Sequence, residues 1–339
     1  KLASSLKIQL GDKTSEAIGT KHTANAEAFR LYTQGRELWM TRSQAGMKQS
    51  IKFYEQAIEL DNKFALAYSG IADSYSMMAV YGFMDIHTAY PKARKFVLDA
   101  ISRNPTLPEA YISLGWIQFA YEWKLKDSED SYKKAIELNP KITQGHQWLG
   151  INLQTQGKHE EAYSTLKRGL ELDPNHHVLL VNMNETCNSL GKFDEAKQYA
   201  IKSREADPLF YNSWFMLYKT YIFSKDKPEV IEDLINEIEE LVNKDQAIYL
   251  ILTHYYWKKD REKAELFYKR LDEIAKTSGN SLLENREVLM VGIDNFIRSA
   301  EQAFENNTLD YAIESDLFLS EHQDYPAFQA FIKKVRRGK

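Results

Sequence analysis

Histidine, cysteine and carboxylate side chains are the groups in this sequence that could carry out chemistry. His176 and His177 are adjacent, but no cysteine or carboxylate completes around them the three or four ligands of a tetrahedral zinc site. His159 precedes two glutamates and lacks the second histidine, one helical turn later, that a zinc-protease helix uses. We therefore predict no metal site and no bound cofactor.

The single cysteine and the paired carboxylates favour structural roles. Cys187 falls in a predicted seam between helices, whereas a nucleophilic thiol needs an exposed and electropositive setting. Glu160–Glu161 and Asp194–Glu195 begin predicted helices, where carboxylates suit the helix dipole. The sequence also has no glycine-rich phosphate loop, EF-hand loop or nucleophile elbow. We therefore predict that the chain is not an enzyme.

The overall composition narrows the set of partners. The 339 residues are 43% apolar and include 44 basic and 48 acidic side chains, so the net charge is −4. A chain without a basic field has no general attraction for nucleic acid or anionic lipid. No apolar run approaches the roughly 18 residues that a membrane-spanning helix needs. We predict a cytoplasmic protein without nucleic-acid or membrane partners, and the start at Lys1 suggests part of a longer protein.

A repeat in the sequence predicts the helices that must position these residues. Pro140, Pro174 and Pro208 are 34 residues apart, and Gly157 and Gly191 have the same spacing. A period of 34 is that of the tetratricopeptide repeat, a helix-turn-helix unit that stacks into a solenoid. The sequence therefore predicts an all-α, right-handed superhelical solenoid of such repeats.

Small residues recur inside each repeat, where two helices must approach closely. They are expected at repeat positions 8, 20 and 27, ahead of a proline at position 32. The copy from Thr143 supplies Gly150, Ala162 and Gly169, and the next copy supplies Ala196 and a less suitable Asn184. The agreement of several positions at once supports the repeat register.

The repeats account for most of the chain. We expect the end of a preceding domain and a linker in residues 1–25, about seven repeats in 26–274, and a divergent repeat with capping helices in 275–339. Ala93 follows Ala72 by 21 positions, whereas a regular repeat has 12 between the matching sites. We predict that the extra residues form a lengthened, partly ordered loop around 77–90.

Three long stretches are more specific than the repeat period. They are TANAEAFRLYTQGRELW from Thr23, FAYEWKLKDSEDSYKKAIELNPKITQGHQWLG from Phe119 and LDYAIESDLFLSEHQDYPAFQAFIKKV from Leu309. Together they are similar to the repeat region of bacterial signalling proteins that combine a TolB-like domain with tetratricopeptide repeats. The resemblance implies an amino-terminal adenylate or guanylate cyclase, a CadC-type winged-helix regulator or a Ser/Thr kinase, and this domain could itself be a partner of the repeats.

In such repeats the first helices line the concave side, with positions 2, 5, 9, 12 and 13 pointing inward. The corresponding residues form a predicted partner-binding groove: Ile112, Trp116, Phe119, Gln147, Glu185, Asn188, Phe215, Lys219, Phe223, Tyr249, Tyr256 and Trp257. Aromatic anchors beside a few hydrogen-bonding groups suit a protein or peptide partner. Asn182 fits a chaperone-type carboxylate clamp, but Gln147 and Ile151 occupy its other places, so chaperone tails are not expected.

These observations predict a non-catalytic protein–protein interaction or regulatory module. One alternative is a dimerisation or scaffold region of a nucleotide cyclase or kinase. Another is a small-molecule sensor that uses the insertion around residues 81–90. The sequence leaves the identity of the partner and the oligomeric state open.

Overall fold

The computed structural model describes residues 22–208 and 210–241, which hold twelve α-helices and no β-strand. The predicted all-α class is confirmed for this part of the chain. The helices are α1 (Ala26–Met40), α2 (Gln44–Leu60), α3 (Ala65–Val80), α4 (Ile86–Arg103), α5 (Pro108–Ala120), α6 (Leu125–Leu138), α7 (Thr143–Thr155), α8 (His159–Leu172), α9 (His177–Ser189), α10 (Phe193–Ala206), α11 (Tyr211–Phe223) and α12 (Pro228–Leu241).

The chain divides into two compact units, and the border between Trp148 and Leu149 falls within α7. In the first unit, α1 packs on α2, α3 on α4 and α5 on α6. In the second unit, α9 packs on α10 and α11 on α12. The predicted preceding segment up to residue 21, the repeats beyond 241 and the predicted cap at 275–339 lie outside the described residues. None of the helices in the described ranges is both long and apolar enough to span a membrane.

The small residues of the repeat pattern lie where the two helices of a repeat touch. A Cβ atom at Gly115 of α5 would lie 2.6 Å from the ring of Tyr132 on α6, far inside van der Waals contact. Gly35 of α1 faces Tyr54 of α2 in the same way, with a hypothetical Cβ at 2.5 Å. Ala162 is completely buried at position 20 of its repeat. Since protein interiors are close-packed, these positions have no room for a larger side chain.

Asn184 shows how a polar residue can occupy a position that usually holds a small one. Its amide nitrogen donates to the carbonyl oxygen of Ala196 on α10 at 2.8 Å and to Oγ1 of Thr220 on α11 at 2.9 Å. The side chain is fully buried. The hydrogen bonds compensate for burying the amide, which would otherwise be costly.

Each turn between the first and second helix of a described repeat contains one residue in the left-handed backbone region. Glycine has no Cβ and adopts this conformation most easily, yet only three of the six residues are glycine. The six are Arg42 (φ 53°), Gly82 (φ 66°), Trp123 (φ 54°), Gly157 (φ 74°), Gly191 (φ 70°) and Lys225 (φ 55°).

The prediction of a long loop around residues 77–90 is wrong. Helix α3 continues to Val80 and α4 begins at Ile86, so the extra residues lengthen both helices and leave a short turn. Asp85 caps α4, because its Oδ1 accepts a hydrogen bond from the Thr88 amide at 3.0 Å. The length of a repeat therefore shows that residues are inserted but does not show which element takes them up.

The paired histidines lie at the start of α9. Nδ1 of His176 accepts a hydrogen bond from the backbone amide of Leu179 at 3.3 Å, so His176 is the N-cap of this helix. His177 is the first helical residue, and its ring meets that of Phe210 edge to face at 4.6 Å. Burial lowers the pKa of His176. The pair thus has a structural role at the junction of two repeats.

Candidate functional site

The predicted groove residues differ in how much of their surface a partner could reach. Of those in the first unit, Ile112 and Phe119 are buried, while Trp116 and Gln147 are half-buried. The members described in the second unit are the buried Asn188 and Lys219 and the half-buried Glu185, Phe215 and Phe223. Tyr249, Tyr256 and Trp257 lie outside the described residues.

Three of these residues come together between α9 and α11. Nζ of Lys219 donates to Oε1 of Glu185 at 3.1 Å and lies 5.6 Å from the centre of the Phe223 ring. Only 2% of the Lys219 side chain is exposed, against 21% for Glu185. A buried lysine requires a partner for its charge. The ion pair therefore holds the Glu185 carboxylate in place on the side of the second unit that is formed by the first helices of its repeats. We call this side the first-helix face.

Asn182, Glu185 and Asn188 lie on one side of α9, since residues three apart in a helix are neighbours. We call these three residues the α9 polar face. The amide nitrogen of Asn188 donates to Asn184 Oδ1 at 3.1 Å and to Thr220 Oγ1 at 2.9 Å. This network links the α9 polar face to α11.

Two polar atoms of the α9 polar face are buried without a hydrogen-bond partner among the described residues. They are the amide nitrogen of Asn182, a donor, and the amide oxygen of Asn188, an acceptor. The two residues are only 8% and 7% exposed. An unpaired buried donor or acceptor costs about 1–3 kcal/mol. Both atoms are inaccessible in this conformation, so a segment with a carbonyl and an N–H group could satisfy them only after the two side chains turn outward.

In the first unit, the predicted aromatic anchor Trp116 is partly covered by other rings. Its ring lies 4.6 Å from that of Trp148 on α7 and 6.2 Å from that of Phe119. Ring pairs at these distances stabilise each other. Trp116 therefore contributes to packing inside the unit, and only part of its surface faces outward.

The first unit also contains a charged group that was not among the residues predicted from the sequence. Nη1 of Arg36 on α1 lies 3.8 Å from Oδ2 of Asp73 on α3, and Asp73 Oδ1 accepts from Ser113 Oγ at 2.6 Å. Burial raises the pKa of Asp73. Aligning Gly35 with Gly115 would have found Arg36. Both glycines pack on the second helix of their repeat, and the next residue is Arg36 in one repeat and Trp116 in the other.

Two kinds of reactive site can be checked among the described residues: a metal cluster and a nucleophilic cysteine. Across 22–208 and 210–241, no group of three or more His, Cys, Asp and Glu side chains is placed to hold a metal ion. Cys187 is buried, and burial raises the pKa of its thiol to about 12. A nucleophilic cysteine requires the opposite shift, toward the thiolate.

Comparison with known sequences identifies the repeat. The family model described as "Tetratricopeptide repeat" matches residues 143–176. The transcriptional regulator HilA of Salmonella typhimurium is 26% identical over 148 residues, which are 44% of this chain and 27% of the regulator. Hsp70-Hsp90 organizing protein 2 of Arabidopsis thaliana is 33% identical over 110 residues, which are 30% of this chain and 18% of that protein. The chain thus spans about a fifth to a quarter of the length of these relatives.

A solved structure gives the fold. The crystal structure of a tetratricopeptide repeat protein from Parabacteroides merdae matches with a TM-score of 0.55 and 11% identity, over 78% of this chain and 98% of that one. At this identity the likeness concerns the fold alone. Together with the helices described above, these comparisons show that the chain contains a tetratricopeptide repeat at residues 143–176 and has an all-α tetratricopeptide-type fold.

Proposed function

We propose that this chain is a non-catalytic interaction module that binds an extended peptide segment of a partner on the first-helix face of its second unit. The observation that carries the proposal is the α9 polar face, where Asn182 and Asn188 offer one unpaired donor and one unpaired acceptor. Every peptide bond supplies the complementary acceptor and donor. Binding would satisfy these two groups once the side chains of Asn182 and Asn188 turn toward the partner.

The surroundings of the α9 polar face suit a peptide that has both polar and apolar side chains. Glu185 is held by Lys219, so its carboxylate is already oriented and loses little freedom on binding. Phe215 and Phe223 on α11 are half-buried and leave apolar surface for a partner side chain. A few fixed polar groups beside aromatic surface are typical of binding sites.

The relatives support a role in regulation. One is named as a transcriptional regulator and another as an Hsp70-Hsp90 organizing protein. The bacterial signalling proteins that the sequence resembles carry repeats next to a cyclase, winged-helix or kinase domain. In the parent protein, a peptide or domain bound by the repeats would change the activity of that output domain.

The test uses a peptide selected from a random library with the full chain as bait. Asn182→Ala and Asn188→Ala should each weaken its binding by roughly tenfold, because each variant removes one hydrogen bond to the peptide backbone. Fluorescence anisotropy measures the dissociation constants. Asn212→Ala is the matched control, since Asn212 is exposed on the neighbouring helix α11.

Circular dichroism should show that all three variants keep their helical content. If the selected peptide binds both asparagine variants as tightly as the unmodified chain, the α9 polar face is not its site. The proposal would then have to be abandoned.

A further inference from the structure

A second group of residues, in the first unit, has the geometry of a site for an anionic side chain. The guanidinium carbon of Arg36 lies 4.3 Å from the centre of the Trp39 ring, and that of Arg42 lies 3.6 Å from it. We call Arg36, Trp39 and Arg42 the tryptophan–arginine cluster. A guanidinium held against an aromatic ring keeps the N–H groups along its edge available for a carboxylate.

The charges of this cluster are only partly neutralised. Asp73 lies 3.8 Å from Arg36 and already accepts a hydrogen bond from Ser113. Within the part of the chain that the structure describes, no carboxylate forms an ion pair with Arg42. Burial lowers the pKa of Arg42, and the nearby charge of Arg36 lowers it further. The charge of Glu109 also reaches Asp73, but neither carboxylate forms an ion pair with Arg42, so the Arg42 guanidinium is open to a further carboxylate.

Two exposed apolar side chains are close to members of the cluster: Met40 follows Trp39 in the chain, and Tyr81 acts on Arg42. Met40 is 68% exposed at the end of α1, and Val80 and Tyr81 are 50% and 46% exposed at the end of α3. The Tyr81 ring stacks on the Phe83 ring, with 5.7 Å between the ring centres. Tyr81 also raises the pKa of Arg42, against the effect of burial. Exposed apolar side chains beside charged ones are typical of protein-binding surfaces.

We propose that the tryptophan–arginine cluster binds the carboxylate of a Glu or Asp side chain in a partner segment, with an apolar partner residue against Met40 and Tyr81. The Arg42 guanidinium matches a carboxylate, whereas Asp73 and Glu109 would repel the greater charge of a phosphate group. The site lies in the first unit and does not depend on the α9 polar face. The chain would therefore bind an acidic side chain at this site in addition to the peptide backbone bound at the α9 polar face.

Arg42 offers a test variant that does not threaten the fold. Its φ of 53° is in the left-handed region, where glycine is favoured over any other residue. Arg42→Gly thus removes the guanidinium and also relieves the backbone. Lys225→Gly is the matched control, because Lys225 has a φ of 55° at the equivalent turn of the second unit.

The probes are three labelled peptides in a glycine–serine background, carrying Leu-Glu-Phe, Leu-Gln-Phe or Leu-phosphoserine-Phe. The full chain should bind the Glu peptide about tenfold more tightly than the Gln peptide in low salt, as measured by fluorescence anisotropy. This preference should vanish in Arg42→Gly and persist in Lys225→Gly.

Three results would overturn the inference: equal binding of the Glu and Gln peptides, an unchanged preference in Arg42→Gly, or tighter binding of the phosphoserine peptide than of the Glu peptide. Asn182→Ala separates the two proposals. It should leave the Glu preference intact even where binding of the library-selected peptide is lost.

Discussion

At the scale of single residues, the described structure buries polar side chains and pairs them with specific partners. Asn184 occupies a position meant for a small residue and joins α9 to α10 and α11 through hydrogen bonds. Lys219 is buried and paired with Glu185. These residues make the second unit dependent on specific partners, because a buried polar group is destabilising once its partner is removed.

Asn184→Ala therefore tests whether the small residue of the repeat pattern or the observed hydrogen bonds give the higher stability at this position. The change improves the match to the pattern, yet it should lower the free energy of unfolding by about 1–2 kcal/mol, because Thr220 and Asn188 lose a partner. Urea denaturation measures the difference. Asn175→Ala, at an exposed position in the preceding turn, is the control and should change stability little. A more stable Asn184→Ala variant would show that the hydrogen bonds do not offset the burial of the amide.

His176 gives a prediction about pH. Burial lowers its pKa in the folded chain, although the charge of Asp173 opposes this, and its neutral Nδ1 is needed as the cap of α9. A pKa lower in the folded than in the unfolded state means that this stability is present above the unfolded value of about 6.5. It is then lost as the pH falls through the folded value.

His176→Asn keeps a capping acceptor that does not titrate. The variant should lose less stability than the unmodified chain between about pH 7 and pH 5, by up to roughly 1 kcal/mol. Thermal melts at a series of pH values measure this. Parallel pH profiles for the two proteins would mean that His176 does not contribute to acid sensitivity.

At the scale of the elements, the turns between paired helices show where backbone conformation limits stability. All six described turns need one left-handed residue, and Arg42, Trp123 and Lys225 adopt this conformation at a cost. Trp123 is buried, so its ring offsets part of that cost by packing. Lys225 is exposed and has no such compensation.

Opposite effects are expected for exchanges at two of these turns. Lys225→Gly should raise the free energy of unfolding by up to about 1 kcal/mol, because glycine adopts the left-handed region without strain. Gly191→Ala should lower it by about 1–2 kcal/mol. A Cβ at Gly191 would meet no atom within 4 Å, so the loss would come from the backbone alone. Chemical denaturation measures both changes, and effects of the same sign would contradict this explanation.

At the scale of the whole chain, net charge is a poor guide to binding chemistry. A net charge of −4 correctly describes a protein without a general basic field. Nevertheless, the tryptophan–arginine cluster places two guanidinium groups against one ring in the first unit. Salt screens exposed charges beyond about 10 Å, so a partner segment responds to this local arrangement and much less to the total.

The sequence by itself determined the helical repeats, their register from Ala72 to Pro208 and the small residues at the helix contacts. These features follow from the spacing of residues along the chain. The repeat period sets the side of its helix on which a residue lies, and the close contact between helices limits the size of its side chain. Only the tertiary structure decided that Phe119 and Lys219 are buried, that the insertion before Ala93 extends two helices, and that Arg36 forms an ion pair with Asp73. The physical reason is that burial depends on neighbours from other repeats and on the unequal lengths of their helices, neither of which a period records.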